Sequence, residues 1–502
     1  MNKRLQKYKA LLPLALLASQ AYADDSILVH KAEYGLTRTR LMLEQLRCPA
    51  LRNIIDIHSC SNASLTGNLQ PSATAKVPQL GNGGRSFMVD ASTIQHLGTA
   101  DIVWGNASYE NGRKYNVVWN ETSDYALLYP YIMGDPRGGD MKYEEYRLDG
   151  GYSARIKRVY YGVELGYRAL SEYRDRDPRP NNTVADLFAH IGAGYRLTKG
   201  YVLAADFDAG KYKQTNELAY FNELGAQKEY HLTGVGNDFP RFSGTSNNTF
   251  YKGHNLGGGL SFASANGYGW SASANYLFTQ YEKILTDLNR LPLNKLKINR
   301  FSASAGFLQK DYGVTVNGEY NDRKGNDNLF GDPSGSVYPQ IGTKGQYEGT
   351  LTYVRVKGYK TIRSGQRFIL DIEPALTYRN FTNKHLDSGN KMDSQDLTFG
   401  AEGKMIFIAG KNMFDVTANV FRRQNLSSDV TLYNSAEESI ATTLQNICRY
   451  MEKGETDFAI GAEYTRRVWG NKALSVGFNW RHGVYLSGKN DNRYEAKITM
   501  TL

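Results

Sequence analysis

Eight histidines and fifty carboxylates are the residues of this chain whose types could do acid–base chemistry. Hydrolysis by a histidine needs a serine or an acid within hydrogen-bond reach. His190, four residues after Asp186, and His254 are the two histidines placed to attempt it. His30, His58 and His96 fall in the N-terminal region, His231 and His385 in polar connecting segments, and His482 late in an alternating stretch. No serine or aspartate constellation assembles around any of them, so the chain is expected not to be an enzyme. No Cys or His pair shows zinc spacing, and Gly257–Gly259 lies within an alternating stretch with no helix after it. Neither a metal nor a cofactor is therefore expected.

What could position such residues is a strand pattern repeated along the chain. Val159, Tyr161, Val163, Leu165 and Tyr167 alternate with Tyr160, Gly162, Glu164, Gly166 and Arg168. Successive side chains of a strand point to opposite faces, so one face is apolar and the other charged. The pattern recurs about sixteen times from residue 98 to the C-terminus, which predicts a transmembrane antiparallel up-and-down β-barrel, with fourteen to eighteen strands as the range. Tight links such as Thr198–Gly200, Ala265–Gly267 and Gly470–Lys472 alternate with long polar segments at 112–140, 174–183, 217–247, 284–294, 327–345, 384–393 and 427–454. That is the asymmetry of short periplasmic turns and long outer loops. Gly (50) and Tyr (36) are abundant and Pro (13) scarce, which suits a barrel with aromatic girdles. Mean hydropathy is −0.51 and no internal run is long enough for a membrane helix.

The faces opposite the apolar ones supply a lumen list: Arg147, Asp149, Glu164, Arg168, Asp186, His190, Asp206, Asp208, Asp371, Glu373, Arg379, Glu402, Glu463 and Arg481. Buried charges must pair or meet water. The list therefore reads either as a salt-bridge ladder stiffening the wall or as a wet pathway with a mild cation preference. A one-residue slip in any strand would reverse its part.

The N-terminus carries Lys3, Arg4, Lys7 and Lys9, then the apolar run Ala10–Ala18, then Ala21-Tyr22-Ala23. Residues 1–23 read as a secretory signal peptide cleaved after Ala23. Losing its four basic residues lowers the formal charge from +10 to +6, leaving little reason to invoke nucleic acid. The remaining excess sits on loops and strand ends, where it is either solvated or drawn to anionic lipopolysaccharide. Cys48 and Cys60 lie close together in an exported chain, so a disulfide between them is expected, with Cys448 left single. Residues 24–97 form an N-terminal segment, either a lumen plug or a periplasmic extension, and 98–502 the barrel. Phe87, Val89, Ala91 and Thr93 already alternate within that segment.

Two loops carry features of their own. The segment 112–140 holds Trp119, Tyr125, Tyr129 and Tyr131, which either stack on sugars or partner proteins or pack the loop against the barrel mouth. Ser435-x-x-Glu438 has the form of a capping box, and Ile440, Leu444, Ile447 and Met451 follow at helical spacing.

The alternating final strand Tyr494, Ala496, Ile498, Met500, Leu502 has the terminal form read by the barrel-assembly machinery. With Gly105–Gly112 and Trp119–Asp124, the chain resembles an uncharacterised family of Bacteroidota outer-membrane β-barrels of about five hundred residues. The resemblance implies the fold, an outer-membrane location among outer-membrane lipids and lipopolysaccharide, and neighbours such as surface lipoproteins or TonB-dependent receptors. It implies no activity. The leading expectation is a channel or transporter for small solutes or nutrients. The alternative is a barrel subunit of a surface complex, and an outer-membrane hydrolase ranks last.

Overall fold

The computed structural model describes residues 26–502 apart from 56, 72–74, 99, 223–227, 245–247, 336, 366 and 486–489. The expected signal peptide and its cleavage site lie outside the described residues.

Eighteen antiparallel strands form one closed sheet. In chain order they begin with β1 (Cys60–Gln70), β2 (Gly83–His96) and β3 (Asp101–Val117). After the short β4 (Met133–Gly134) come β5 (Gly139–Ile156), β6 (Val159–Tyr173), β7 (Arg179–Arg196) and β8 (Tyr201–Ala219). After the short β9 (Tyr230–Gly234) and β10 (Asn237–Asp238) come β11 (Thr249–Ser264), β12 (Gly269–Leu285), β13 (Leu291–Leu308), β14 (Tyr312–Phe330) and β15 (Gln340–Ser364). The last six are β16 (Phe368–His385), β17 (Lys391–Ala409), β18 (Asn412–Thr431), β19 (Glu455–Trp469), β20 (Lys472–Tyr485) and β21 (Asn490–Thr501). β4, β9 and β10 form a separate three-stranded sheet. Pairing of β1 with β21, from Asn62 opposite Thr501 to Leu69 opposite Tyr494, closes the ring and leaves no open edge.

The count is eighteen, against the expected sixteen. The two additional strands, β1 and β2, lie inside 24–97, so the barrel starts at Cys60 and only the residues before it stand apart. β1 reads CSNASLTGNLQ, with Ala63, Leu65 and Leu69 alone marking its lipid face. That alternation is too sparse to read as a strand without its neighbours.

The outer face carries the apolar set: Leu65, Phe87, Val163, Leu187, Phe207, Trp270 and Phe301 are all exposed. Ring pairs stud it, Trp270 with Phe307 at 5.0 Å and Tyr276 with Phe301 at 4.9 Å between centroids. A span needs about ten residues per strand; β15 has 25, so the wall rises well beyond the bilayer on the loop side.

The lumen is filled from both ends. From the short-turn end enter α1 (Ser26–Tyr34), α2 (Thr37–Gln45) and a 3-10 turn (Pro49–Ile54). From the loop end, the connection after β3 folds inward with a helical turn, α3 (Tyr125–Leu128), joined by β9 and by α4 (Glu438–Glu452). The α4 helix matches the expected periodicity, with Ile440, Leu444 and Ile447 buried. Its N-cap is Glu437 with no side-chain cap bond, so the expected box at Ser435 is not formed.

Candidate functional site

The inner segment carries five basic residues (Lys31, Arg38, Arg40, Arg47, Arg52) and two acidic ones (Glu33, Glu44), a net charge of +3. Wall acids receive it. Asp371 accepts the Thr37 backbone N–H at 2.8 Å, at the first turn of α2. Leu36, the N-cap of α2, supplies no side-chain cap of its own. A carboxylate from β16 thus does in trans what a local Asp or Ser usually does. Arg40 pairs with Glu373 and, at 3.6 Å, with Glu402. Lys31 pairs with Glu463 at 2.9 Å. The acid excess of the lower wall is therefore occupied in holding the segment.

Packing completes the dock. Leu41, Met42, Leu46 and Leu51 are buried against Tyr160, Val202 and Ala263. A Cβ at Gly162 would stand 2.4 Å from the Pro49 carbonyl carbon, and one at Gly192 2.5 Å from the Cys48 sulfur. Glycine at these two positions is what lets the 3-10 turn lie on the wall. Gly192→Val is expected to lift the turn, seen as lowered thermal stability and faster trypsin cleavage after Arg47 and Arg52.

The outer body is held by wall side chains of the upper half. Arg168 pairs with Asp124, and the Tyr212 hydroxyl donates to Asp124 at 2.9 Å. Arg323 donates to the carbonyls of Leu127 (2.8 Å) and Tyr129 (2.6 Å). Lys283 donates to Ile132 O at 3.0 Å. Arg174, in the loop after β6, reaches Glu121 at 3.1 Å and Asp135 at 2.7 Å, and all three side chains are buried. Trp119 and Tyr131 are buried in this body, and Tyr129 packs edge-on to Tyr347 at 5.8 Å. Tyr125 lies against Tyr129 at 5.5 Å. The loop aromatics thus pack the mouth from within. Asn116, Trp119 and Asp124 hold positive φ of 51°, 59° and 55°; Asn and Asp adopt this region readily, whereas the bulky Trp119 keeps it only under tertiary constraint.

Between the inner segment and the wall lies a chamber. One cavity of about 640 Å³ is lined by Tyr34, Arg40, Glu44, Asn317, Tyr353 and Arg355. A second, about 390 Å³, is lined by Glu164, His190, Asp208 and Asn255, and both share Leu43, Arg47 and Arg52. Arg47 has no ion-pair partner among the described residues. Arg52 lies over the Trp104 ring at 5.0 Å, and burial lowers its pKa from the usual guanidinium value. Arg355 lies over Tyr353 at 4.8 Å, with only Thr377 Oγ1 at 3.4 Å as a bonded partner. None of the three guanidiniums has a carboxylate within 4.0 Å among the described residues, although at longer range Glu164 attracts Arg52 and Asp208 attracts Arg47.

The remaining lumen positions are spent on structure. His190 Nε2 lies 3.3 Å from Asp206 and 3.7 Å from Asp208. Asp186 is 4.0 Å from Arg168. Asp149 accepts from Asn106 at 2.7 Å, Arg147 pairs with Glu145, and Arg481 pairs with Asp457 at 2.9 Å. Arg379 stands over Phe381 at 5.0 Å. His254 projects outward over Phe278 at 6.3 Å, away from the chamber.

The expected Cys48–Cys60 disulfide is absent; both thiols are free. Cys48 Sγ faces Ala205 O at 3.9 Å on β8, while Cys60 Sγ accepts from Asn62 at 3.6 Å at the start of β1. Nearness in sequence did not survive because the turn carrying Cys48 docks on a different part of the wall. Burial, with Asp206 adding to it, pushes the Cys48 thiol up to about 12. At mildly alkaline pH it stays protonated, so iodoacetamide is expected to spare Cys48 in the folded barrel and to alkylate it once urea unfolds the chain. Reduced and non-reduced samples should migrate alike.

Arg174, Glu121, Asp135 and Glu229 escaped the sequence reading because each sits in a polar loop that looks solvated. Arg47 and Arg52 escaped it because the position of their segment was open.

The chain belongs to a family described as a family of unknown function (DUF6850), matched over residues 49–502. No curated protein matches it. Among solved structures it is similar to a bacterial polysaccharide outer membrane secretin (TM-score 0.36, 11% identity, covering 89% of this chain and 99% of that one). It is also similar to the unliganded ferric citrate transporter FecA (TM-score 0.39, 8% identity, 89% and 79% covered). A third is BauA, the ferric preacinetobactin receptor from Acinetobacter baumannii (TM-score 0.38, 9% identity, 88% and 80% covered).

Proposed function

We propose that this protein is a gated outer-membrane transporter for small polar solutes bearing an anionic group. The observation that carries the reading is the chamber between the inner segment and the wall, faced by Arg47, Arg52 and Arg355, none of which has a carboxylate within 4.0 Å among the described residues. Unpaired guanidiniums in a partly desolvated site favour carboxylate or phosphate oxygens. The mild cation preference expected from the wall acids is weakened, since Asp371, Glu373, Glu402 and Glu463 are matched to the inner segment. Liposome swelling with a neutral sugar and a sugar acid of equal size tests it. The full-length barrel should admit the sugar acid faster, and Arg355→Glu should reverse the order; deleting residues 26–55, which removes Arg47 and Arg52 and bares the wall acids, should favour the neutral sugar. A barrel sealed to both solutes in either form would refute the reading.

A lysine collar supports the membrane placement. On the lipid-facing side, above Phe207, Leu256 and Phe301, stand Lys211, Lys213, Lys252, Lys297 and Lys324, all exposed. Lys213 lies directly opposite Lys252, and Lys297 opposite Lys324. Like charges facing across strands are destabilising unless an anion lies between them. Glu282 at 2.6 Å answers Lys252 and Asp322 at 3.7 Å answers Lys324, which leaves Lys211, Lys213 and Lys297 without an acidic partner among the described residues. Lipopolysaccharide phosphates meet that need at the outer leaflet. Lipopolysaccharide micelles are therefore expected to raise the melting temperature relative to neutral detergent. Changing Lys211, Lys213, Lys252 and Lys297 to Gln should abolish the difference; an unchanged difference would remove the argument.

A further inference from the structure

The outer body contains a group of charges that its own bonds do not settle. Glu121 and Asp135 come from the loop after β3, and Glu229 from the segment leading into β9; all three are 0% exposed. One carboxylate oxygen from each lies within 4.8 Å of the other two. Arg174 occupies Glu121 Oε1 and Asp135 Oδ2. The Gly138 N–H occupies Asp135 Oδ1 at 2.7 Å, and the Tyr220 hydroxyl occupies Glu229 Oε1 at 2.6 Å. Left over are Glu121 Oε2 and Glu229 Oε2, both buried, facing each other within hydrogen-bond reach and with no N–H or hydroxyl donor on either.

Buried carboxylate oxygens without a donor are costly, and a buried charge without a counter-charge more so. Three carboxylates against one guanidinium leave a charge of −2. Lys283, the next cation inward, is balanced by Asp327. Two oxygens on one Ca²⁺ at about 2.4 Å each are at most about 4.8 Å apart, a limit that the three oxygens meet. All donors are hard oxygens, which suits calcium or magnesium over transition metals.

We infer that Glu121, Asp135 and Glu229 bind one divalent cation, calcium by preference, that clamps the two inward-folded outer segments to each other and, through Arg174, to the wall. The ion would make closure of the outer body depend on the calcium content of the medium outside the cell.

The full-length barrel in detergent, freed of metal with EDTA, provides the test without any transport measurement, so its outcome is separate from that of the transporter reading. Equilibrium dialysis with CaCl₂ should give one bound ion per chain. CaCl₂ should raise the melting temperature by several degrees, with MgCl₂ giving a smaller rise. The Glu121→Gln, Glu229→Gln double variant should lose the bound ion and the shift, yet match or exceed the wild type in EDTA, because the facing charges are gone. A wild type that binds neither cation at millimolar concentration, or a double variant that keeps the calcium shift, would overturn the inference in favour of two glutamates sharing a proton.

Discussion

Asp371→Ala should release the inner segment from an otherwise intact barrel. The Asp371 carboxylate is 1% exposed and accepts from the Thr37 N–H at 2.8 Å and from Thr361 Oγ1 at 2.7 Å. It is the only cap recorded for the N-terminus of α2, whose own flanking residue is Leu36. Hydrogen bonds to a charged group contribute about 1.5–3 kcal/mol each. Losing the one to Thr37 at the lower bound shifts a docking equilibrium about tenfold. Isolated helices as short as α1 and α2, nine residues each, are marginal in water, so undocking and unfolding should coincide. Lys31, Arg38, Arg40, Arg47 and Arg52 then become trypsin sites. Cleavage within 26–55 is expected to accelerate about tenfold or more, while the strands keep their resistance. Equal cleavage rates in wild type and variant would show that Asp371 does not hold the segment.

The second large effect concerns Arg174→Met. The arginine is 1% exposed and its two carboxylate partners 0%. Its Nε also donates to Pro178 O at 2.8 Å. Removing one partner of a buried ion pair strands the others in a medium that cannot solvate them, at a cost of roughly 3–5 kcal/mol. The penalty falls on the outer body rather than on the hydrogen-bonded ring. The loop carrying Glu121 and Asp135 should leave the lumen first, so that trypsin cleavage after Arg137, whose side chain is already exposed but whose backbone is held by the Gly138 N–H bond to Asp135, speeds up at temperatures where the strands remain intact. Arg174→Lys should recover part of the loss, because an ammonium restores charge but cannot serve Glu121, Asp135 and Pro178 together. A variant with unchanged melting behaviour and unchanged cleavage after Arg137 would show that the pair is dispensable.

How far the sequence could be read depended on the kind of order involved. In β6, Glu164 and Arg168 face inward and Val163 and Leu165 outward, as alternation alone requires. The same rule located Asp371, Glu373 and Glu463, though not their purpose. β1 failed the rule because Ser, Asn, Thr and Gly fill most of its positions, and only its pairing with β2 and β21 makes it a strand. The apparent capping box at Ser435 failed for a related reason: it was read from spacing, whereas the helix is placed where Leu444 and Ile447 meet Val235 and Met392 and where Ile440 joins the cluster of Trp119 and Tyr347.

The sequence by itself determined the two faces of the wall, because a side chain's face in a strand follows from its own position and needs no distant partner. Only the tertiary structure decided what fills the cylinder. The contacts that do so join Thr37 to Asp371 across 334 residues, Arg40 to Glu373 across 333 and Arg174 to Glu121 across 53. Such pairs exist only once ring closure has brought remote strands around a shared interior, and no local pattern encodes that proximity.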